Sequence, residues 1–358
     1  IILTTLSFSI MFMTSIAFEQ FWQGFFTAEN YLLYSYFIVP AISILFIYLS
    51  DASQIHEPIS EWGPYKVFLA TSPIFIFLLV TMYLPFASPV FSLPFTKPMT
   101  DLVTLFRTTL GLERGYEAAL GMGIALIVGT IPAAYAHSYY QRRGKGIEHD
   151  VTNFLRDLTE IRKTGASPER CIENLSKRNY GRFSKHLRVA SRQILWGLPF
   201  KVIYETFQEK IKSWLASVNI YLLVDAIEVG GGSPETLETL TRFSEMLSSL
   251  EKEKKAMLRP LLLLPYIGAG ILLFSTIAFL GFMRVVVLSL GRLALPFSQL
   301  ATLLLPPLVL EAYLTGLVTG KMSSGTISAG FKHALILAIA ALAFIPLTPY
   351  FTLPFRWG

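Results

Sequence analysis

Gly230-Gly231-Gly232-Ser233-Pro234-Glu235 reads as the end of one helix followed at once by the start of another. Glycine tolerates the left-handed conformation that closes a helix, serine caps the orphan amides of the next one, and proline suits the first helical position. Glu235, in the first turn, complements the positive end of the helix dipole. The same device stands earlier as Gly165-Ala166-Ser167-Pro168-Glu169. Each turn alone is an ordinary interhelix connection. Two copies within one polar stretch, Ile147 to Arg259, predict a bundle of antiparallel helices. The structural turn positions are assigned to Gly165, Ser167 and Pro168, and to Gly230, Gly232, Ser233 and Pro234.

That polar stretch is set in an oily chain. Of 358 residues, 53% are hydrophobic and only 15% charged, with a mean hydropathy of +0.52. Soluble domains carry roughly a quarter charged residues. The composition therefore points to an all-α polytopic membrane protein with a helical-bundle insert. The one cysteine, Cys171, excludes an internal disulfide and a cysteine metal cluster, and reads as core filling. A start at Ile1-Ile2, without methionine, is what a fragment or a processed chain would show, and no signal-peptide pattern is present.

Charge is distributed unevenly. Ser138 to Arg259 holds 21 Lys+Arg against 15 Asp+Glu, whereas the remainder of the chain holds 9 of each. The whole excess of +6 thus belongs to the insert. Its bases are interleaved with acids rather than clustered with aromatics, which argues against nucleic acid. An anionic membrane surface or an acidic protein suits it better.

A span needs about 20 apolar residues. Seven are expected: Ile1 to Phe18, Tyr31 to Ser50, Val67 to Pro85, Ala118 to Ala136, Pro260 to Met283, Phe297 to Val318 and Ala334 to Phe351. The sixth is expected to be interrupted at Pro306-Pro307. A short helix from Asp101 to Leu112, with Leu102, Leu105, Phe106 and Leu110 on one side, fits the outer membrane surface or a packed loop. Three regions follow: a membrane region over 1–137, a cytoplasmic bundle over 138–259, and a second membrane region over 260–358. Arg142, Arg143 and Lys145 at one flank of the insert, and Lys252, Lys254, Lys255 and Arg259 at the other, place it inside by the positive-inside rule.

Within the insert about six helices are expected. The first carries the stripe Val151, Phe154, Leu155, Leu158 and Ile161, and the sixth the stripe Leu237, Leu240, Phe243, Leu247 and Leu250. Such stripes are the core of a bundle. No stop signal precedes Pro260, so the sixth helix is expected to run into the fifth span as one rod, bent at Pro260 or Pro265.

No catalytic set stands out, and no cofactor is expected. His56, His137, His149, His186 and His333 lack metal spacing. Gly121-Met122-Gly123 lacks the third glycine of a dinucleotide fingerprint, and no Lys-Ser/Thr follows Gly230-Gly231-Gly232. Glu311 is the one carboxylate deep in an apolar span. Such residues are costly and often functional, so a secondary transporter coupled through Glu311 is the rival reading. Its bland alternative is to satisfy backbone groups freed by the prolines or to pair with Tyr313. Gly316-x-x-x-Gly320 permits close helix contact.

The glycine-ended helix, Ser-Pro start and leucine-rich helix, repeated within one insert and followed by a span, resemble the type II secretion system F domain over about Ile147 to Met283. The run Leu258-Arg259-Pro260-Leu261-Leu262-Leu263-Leu264-Pro265-Tyr266 resembles the archaellum platform family of the FlaJ/ArlJ type. So do Gly316-Leu317-Val318-Thr319-Gly320-Lys321-Met322-Ser323-Ser324-Gly325 and Gly330-Phe331-Lys332-His333-Ala334. The resemblance implies a non-enzymatic platform in the cell membrane, a homodimer, engaged from the cytoplasm by a hexameric motor ATPase and acting on filament subunits, in an archaellum or a pilus. Docking of the ATPase would fall to Arg142, Arg143, Lys145, Lys252, Lys254, Lys255 and Arg259. The family commonly carries a second, N-terminal F-type domain that this sequence does not show.

Overall fold

A computed structural model describes residues 28–52, 62–144, 146–211, 213–290 and 296–351. Among these residues there is no strand, and the molecule is an all-α polytopic membrane protein. Fifteen α-helices follow in order. They are α1 (Ala28–Leu33), α2 (Val39–Ala52), α3 (Gly63–Met82), α4 (Leu84–Ala87), α5 (Lys97–Thr109), α6 (Glu117–Gly144), α7 (Ile147–Arg162) and α8 (Pro168–Ser176). Then come α9 (Phe183–Leu195), α10 (Phe200–Lys210), α11 (Trp214–Gly230), α12 (Pro234–Leu261), α13 (Leu263–Leu290), α14 (Phe297–Ser324) and α15 (Ile327–Phe344). A π-helical turn, Tyr34–Ile38, joins α1 to α2.

Among the described residues, six helical stretches are long and apolar enough to cross a membrane. The expected span Ile1 to Phe18 and the loop over 53–61 lie outside the described residues. The described residues divide into two compact units. One is drawn from the N-terminal helices, 63–137 and 258–351, the other mainly from 138–257.

The first unit is a membrane domain. Its centre is packed from Leu120, Leu126, Leu272, Leu273, Leu304, Leu305 and Ala338, all essentially inaccessible. Its outer faces expose Ile44, Leu45, Leu69, Phe77, Ile271 and Phe274. Apolar surface on that scale belongs against lipid. The tightest contact is the hairpin α14–α15, closed at Gly325 with φ 72°. A Cβ on Gly316 would overlap the Ala334 backbone, and one on Gly320 would overlap Gly330. The small-residue spacing read at Gly316 and Gly320 is therefore an internal seam. Gly121, dismissed as a nucleotide turn, has the same task, since a Cβ there would overlap the Met82 carbonyl.

One expectation is corrected. Helix α14 runs unbroken through Pro306 and Pro307. The missing amide bonds are tolerated because both prolines are buried among neighbouring helices that hold the turn in place. A break in the helix falls between Pro260 and Pro265, where a bend was expected. Helices α12 and α13 are separated at Leu262, whose amide returns to the Arg259 carbonyl at 3.1 Å. Leu262 lies between Pro260 and Pro265, which donate no amide, so the helical ladder is weakest there.

Helix α5 matches the expected short helix. Val103 is its buried residue, while Leu102, Leu105, Phe106 and Leu110 are exposed. Arg107 pairs with Glu117 at 3.2 Å, and Thr302 reaches the Gly115 carbonyl.

Candidate functional site

The second unit is a six-helix bundle, α7 to α12. Its core comprises Val151, Phe154, Leu155, Leu158, Cys171, Leu175, Phe183, Leu187, Leu223 and Leu237. Most of the expected stripe residues are buried, but Phe243 and Leu250 are exposed on α12. Cys171 is buried, as core filling requires.

Both repeated turns are built as their residues dictate. Ser167 accepts the Arg170 amide at 3.4 Å and Ser233 accepts the Thr236 amide at 3.2 Å, with Pro168 and Pro234 opening the helices. Gly165 has φ 85°, and the second turn uses two left-handed residues in succession, Gly231 at 62° and Gly232 at 60°. Their amides return to the carbonyls of Ile227 and Ala226, both at 3.0 Å. Gly230, assigned to the turn from sequence, is instead the last residue of α11 and needs no positive φ.

The two turns meet at one end of the bundle, joined by a residue the sequence reading passed over. The Arg162 guanidinium donates through Nε to the Gly232 carbonyl at 2.8 Å and through Nη2 to that of Gly231 at 3.1 Å. Its Nη1 reaches the Ala166 carbonyl in the first turn. Arginine suits the post, because its planar fork presents several donors at fixed angles. No local pattern marks such a residue, since two of its three partners lie about seventy positions ahead.

Helices α7 and α12 run antiparallel along a buried hydroxyl seam. Thr152 and Ser244 are 2.9 Å apart, Thr159 and Thr241 2.9 Å, and Thr159 also bonds the Leu237 carbonyl at 3.2 Å. Asn219 of α11 donates to Ser244 at 2.8 Å. Carboxylates secure the remaining connections. Asp150 accepts the Arg182 amide, Glu228 the Lys201 amide, and Asp157 both the Tyr180 hydroxyl at 2.6 Å and Arg178 at 2.9 Å. Burial and that bond to Asp157 hold the Tyr180 hydroxyl well above the usual phenol range. These contacts are architectural. Among the described residues no group of His, Cys, Asp and Glu could hold a metal.

The basic residues singled out from sequence are partly used already. Lys255 pairs with Glu251 at 3.1 Å, while Lys252, Lys254 and Arg259 are exposed on α12. Arg142 is exposed, its carbonyl accepting from the Arg182 guanidinium; Arg143 also lies in α6, and Lys145 is outside the described residues. No ion pair joins the two flanks among the described residues. A stronger basic surface went unread at α9, where the N-cap Arg182 and the helical Lys185, Arg188 and Arg192 are all exposed. Their spacing of three and four residues puts them on one side of the helix. The signal was available, because no acid occurs between Glu173 and Glu205. Beyond α9, Leu195 and Trp196 are exposed too.

Glu311 sits buried in α14. The hydroxyl of Tyr313, on the same helix, accepts from that of Thr130 at 3.1 Å.

Against known proteins, no curated sequence matches the chain and no solved structure does. Residues 154–281, which take in most of this bundle and the larger part of α13, match the family model described as Type II secretion system (T2SS), protein F.

Proposed function

We propose that this chain is the membrane platform of a type IV-like filament, an archaellum or a pilus. In this reading the bundle faces the cytoplasm, receives a hexameric motor ATPase and passes its motion toward filament subunits, with the platform acting as a homodimer and catalysing nothing itself. The observation that carries the reading is the match of residues 154–281 to the secretion F family, whose domain is found in inner-membrane platform proteins of secretion and pilus systems. The paired turns held by Arg162 support it, since they make the bundle one body able to take a load.

The docking surface combines the exposed bases Arg142, Lys252 and Lys254 with those at and along α9, Arg182, Lys185, Arg188 and Arg192. Such a field steers an acidic partner and sets its orientation. The test is co-purification of the motor ATPase with the full chain over a salt series. Reversing Lys185, Arg188 and Arg192 to Glu is expected to weaken binding about tenfold at low salt, because each exposed pair contributes up to about 1 kcal/mol. Reversing Lys252, Lys254 and Lys255 to Glu should add to that loss. Binding that ignores both sets and shows no salt dependence would overturn the assignment.

A further inference from the structure

At one end of the membrane unit, Ser328 of α15 reaches His137 of α6, and Lys332 and His333 follow Ser328 by about one helical turn. His137 comes from α6, and Lys332 and His333 are neighbours on α15. Hydroxyls line the cluster. Ser328 Oγ is 3.1 Å from His137 Nδ1, and the Tyr266 hydroxyl is 2.7 Å from His333 Nδ1, with the two rings set edge to face. The Ser328 amide, in the first turn of α15, is already used, donating to the Tyr65 hydroxyl at 3.1 Å.

A basic group at the end of lipid-facing helices attracts an anion. The hydroxyls prepare the rings for one. With Tyr266 donating to Nδ1, a neutral His333 carries its proton on Nε2 and offers it as a donor, and Ser328 does the same for His137. Lys332 is exposed and adds a full positive charge. Two imidazole donors and an ammonium suit the oxygens of a phosphate. Elsewhere on the same helices Leu264, Ile267 and Ile271 of α13, and Ile336 and Ile339 of α15, present exposed apolar side chains. Those lanes suit acyl chains; a free phosphate would leave them unused.

We propose that His137, Lys332 and His333 form a headgroup site for an anionic phospholipid, a site separate from the docking surface for the motor. The test is native mass spectrometry of the full chain released from detergent containing equal phosphatidylglycerol and phosphatidylcholine. Wild type is expected to retain the anionic lipid about fivefold over the neutral one, since one basic residue near an anionic surface contributes about 1 kcal/mol. The triple variant His137→Gln, Lys332→Gln, His333→Gln should fall to parity, while Lys332→Arg keeps the preference and Lys252→Gln, on the bundle, leaves it untouched. Millimolar inorganic phosphate should not displace the lipid. A triple variant with the wild-type preference overturns the site, and displacement by phosphate overturns the lipid assignment. If the triple variant fails to fold, Lys332→Gln alone decides, and an undiminished preference in it refutes the proposal.

Discussion

The bundle and the membrane unit use glycine for opposite purposes. At Gly165 and Gly231 nothing lies near the position of a Cβ, yet φ is 85° and 62°. There the backbone angle demands glycine. At Gly121, Gly316, Gly320 and Gly330 the helix is regular and a Cβ would collide with a neighbouring backbone. There the space demands it. The contrast follows from the two surroundings. In water a bundle needs sharp reversals between short helices, and its apolar stripes supply the cohesion. In lipid no hydrophobic force draws helices together, so close approach of backbones carries more of the association.

The sharpest way to break the comparison is Gly320→Leu. Because the collision is with the backbone at Gly330, the α14–α15 hairpin must separate, at a cost of about 3 kcal/mol or more. Loss of the folded, monodisperse protein in detergent is expected; normal yield and thermal midpoint would show that the seam is looser than described. Next in size is Arg162→Met, which keeps the aliphatic stem and strips three turn carbonyls of their donor. A destabilisation of about 2 kcal/mol is expected, read as faster proteolysis at both turns. Cleavage that rises at only one turn would mean that the guanidinium does not join them.

The smallest effect sharpens the contrast within three adjacent residues. Gly231→Ala forces a left-handed alanine and should cost about 1–2 kcal/mol. Gly230→Ala sits in regular helix with open space and should stabilise by up to about 1 kcal/mol. Comparison of thermal midpoints checks both. Equal midpoints would contradict the helix end placed at Gly230.

The order of helices in the bundle was readable from the sequence, because Gly and Ser-Pro punctuation and apolar stripes are local signals. So was the polytopic character, which rests on the length of apolar runs. What local pattern could not supply was choice among equals. Three consecutive glycines do not announce which one leaves the helix. Pro306-Pro307 looked like an interruption because the proline rule is local, whereas burial of both residues in α14 is not. Gly330 was not read as the partner of Gly320, since contact across a hairpin depends on how the helices cross. Arg162 was one arginine among many until its partners in both turns were known. For α9, an acid-free run from 174 to 204 was there to be counted, and the interleaving of charges elsewhere masked it.

The hydroxyl seam between α7 and α12 has a mechanical consequence. Thr152 meets Ser244 and Thr159 meets Thr241 in one register only. Shear of one helix past the other would break both hydroxyl pairs, although each threonine keeps a carbonyl of its own helix. The paired hydroxyls therefore act as a key that favours one sliding position of α7 against α12.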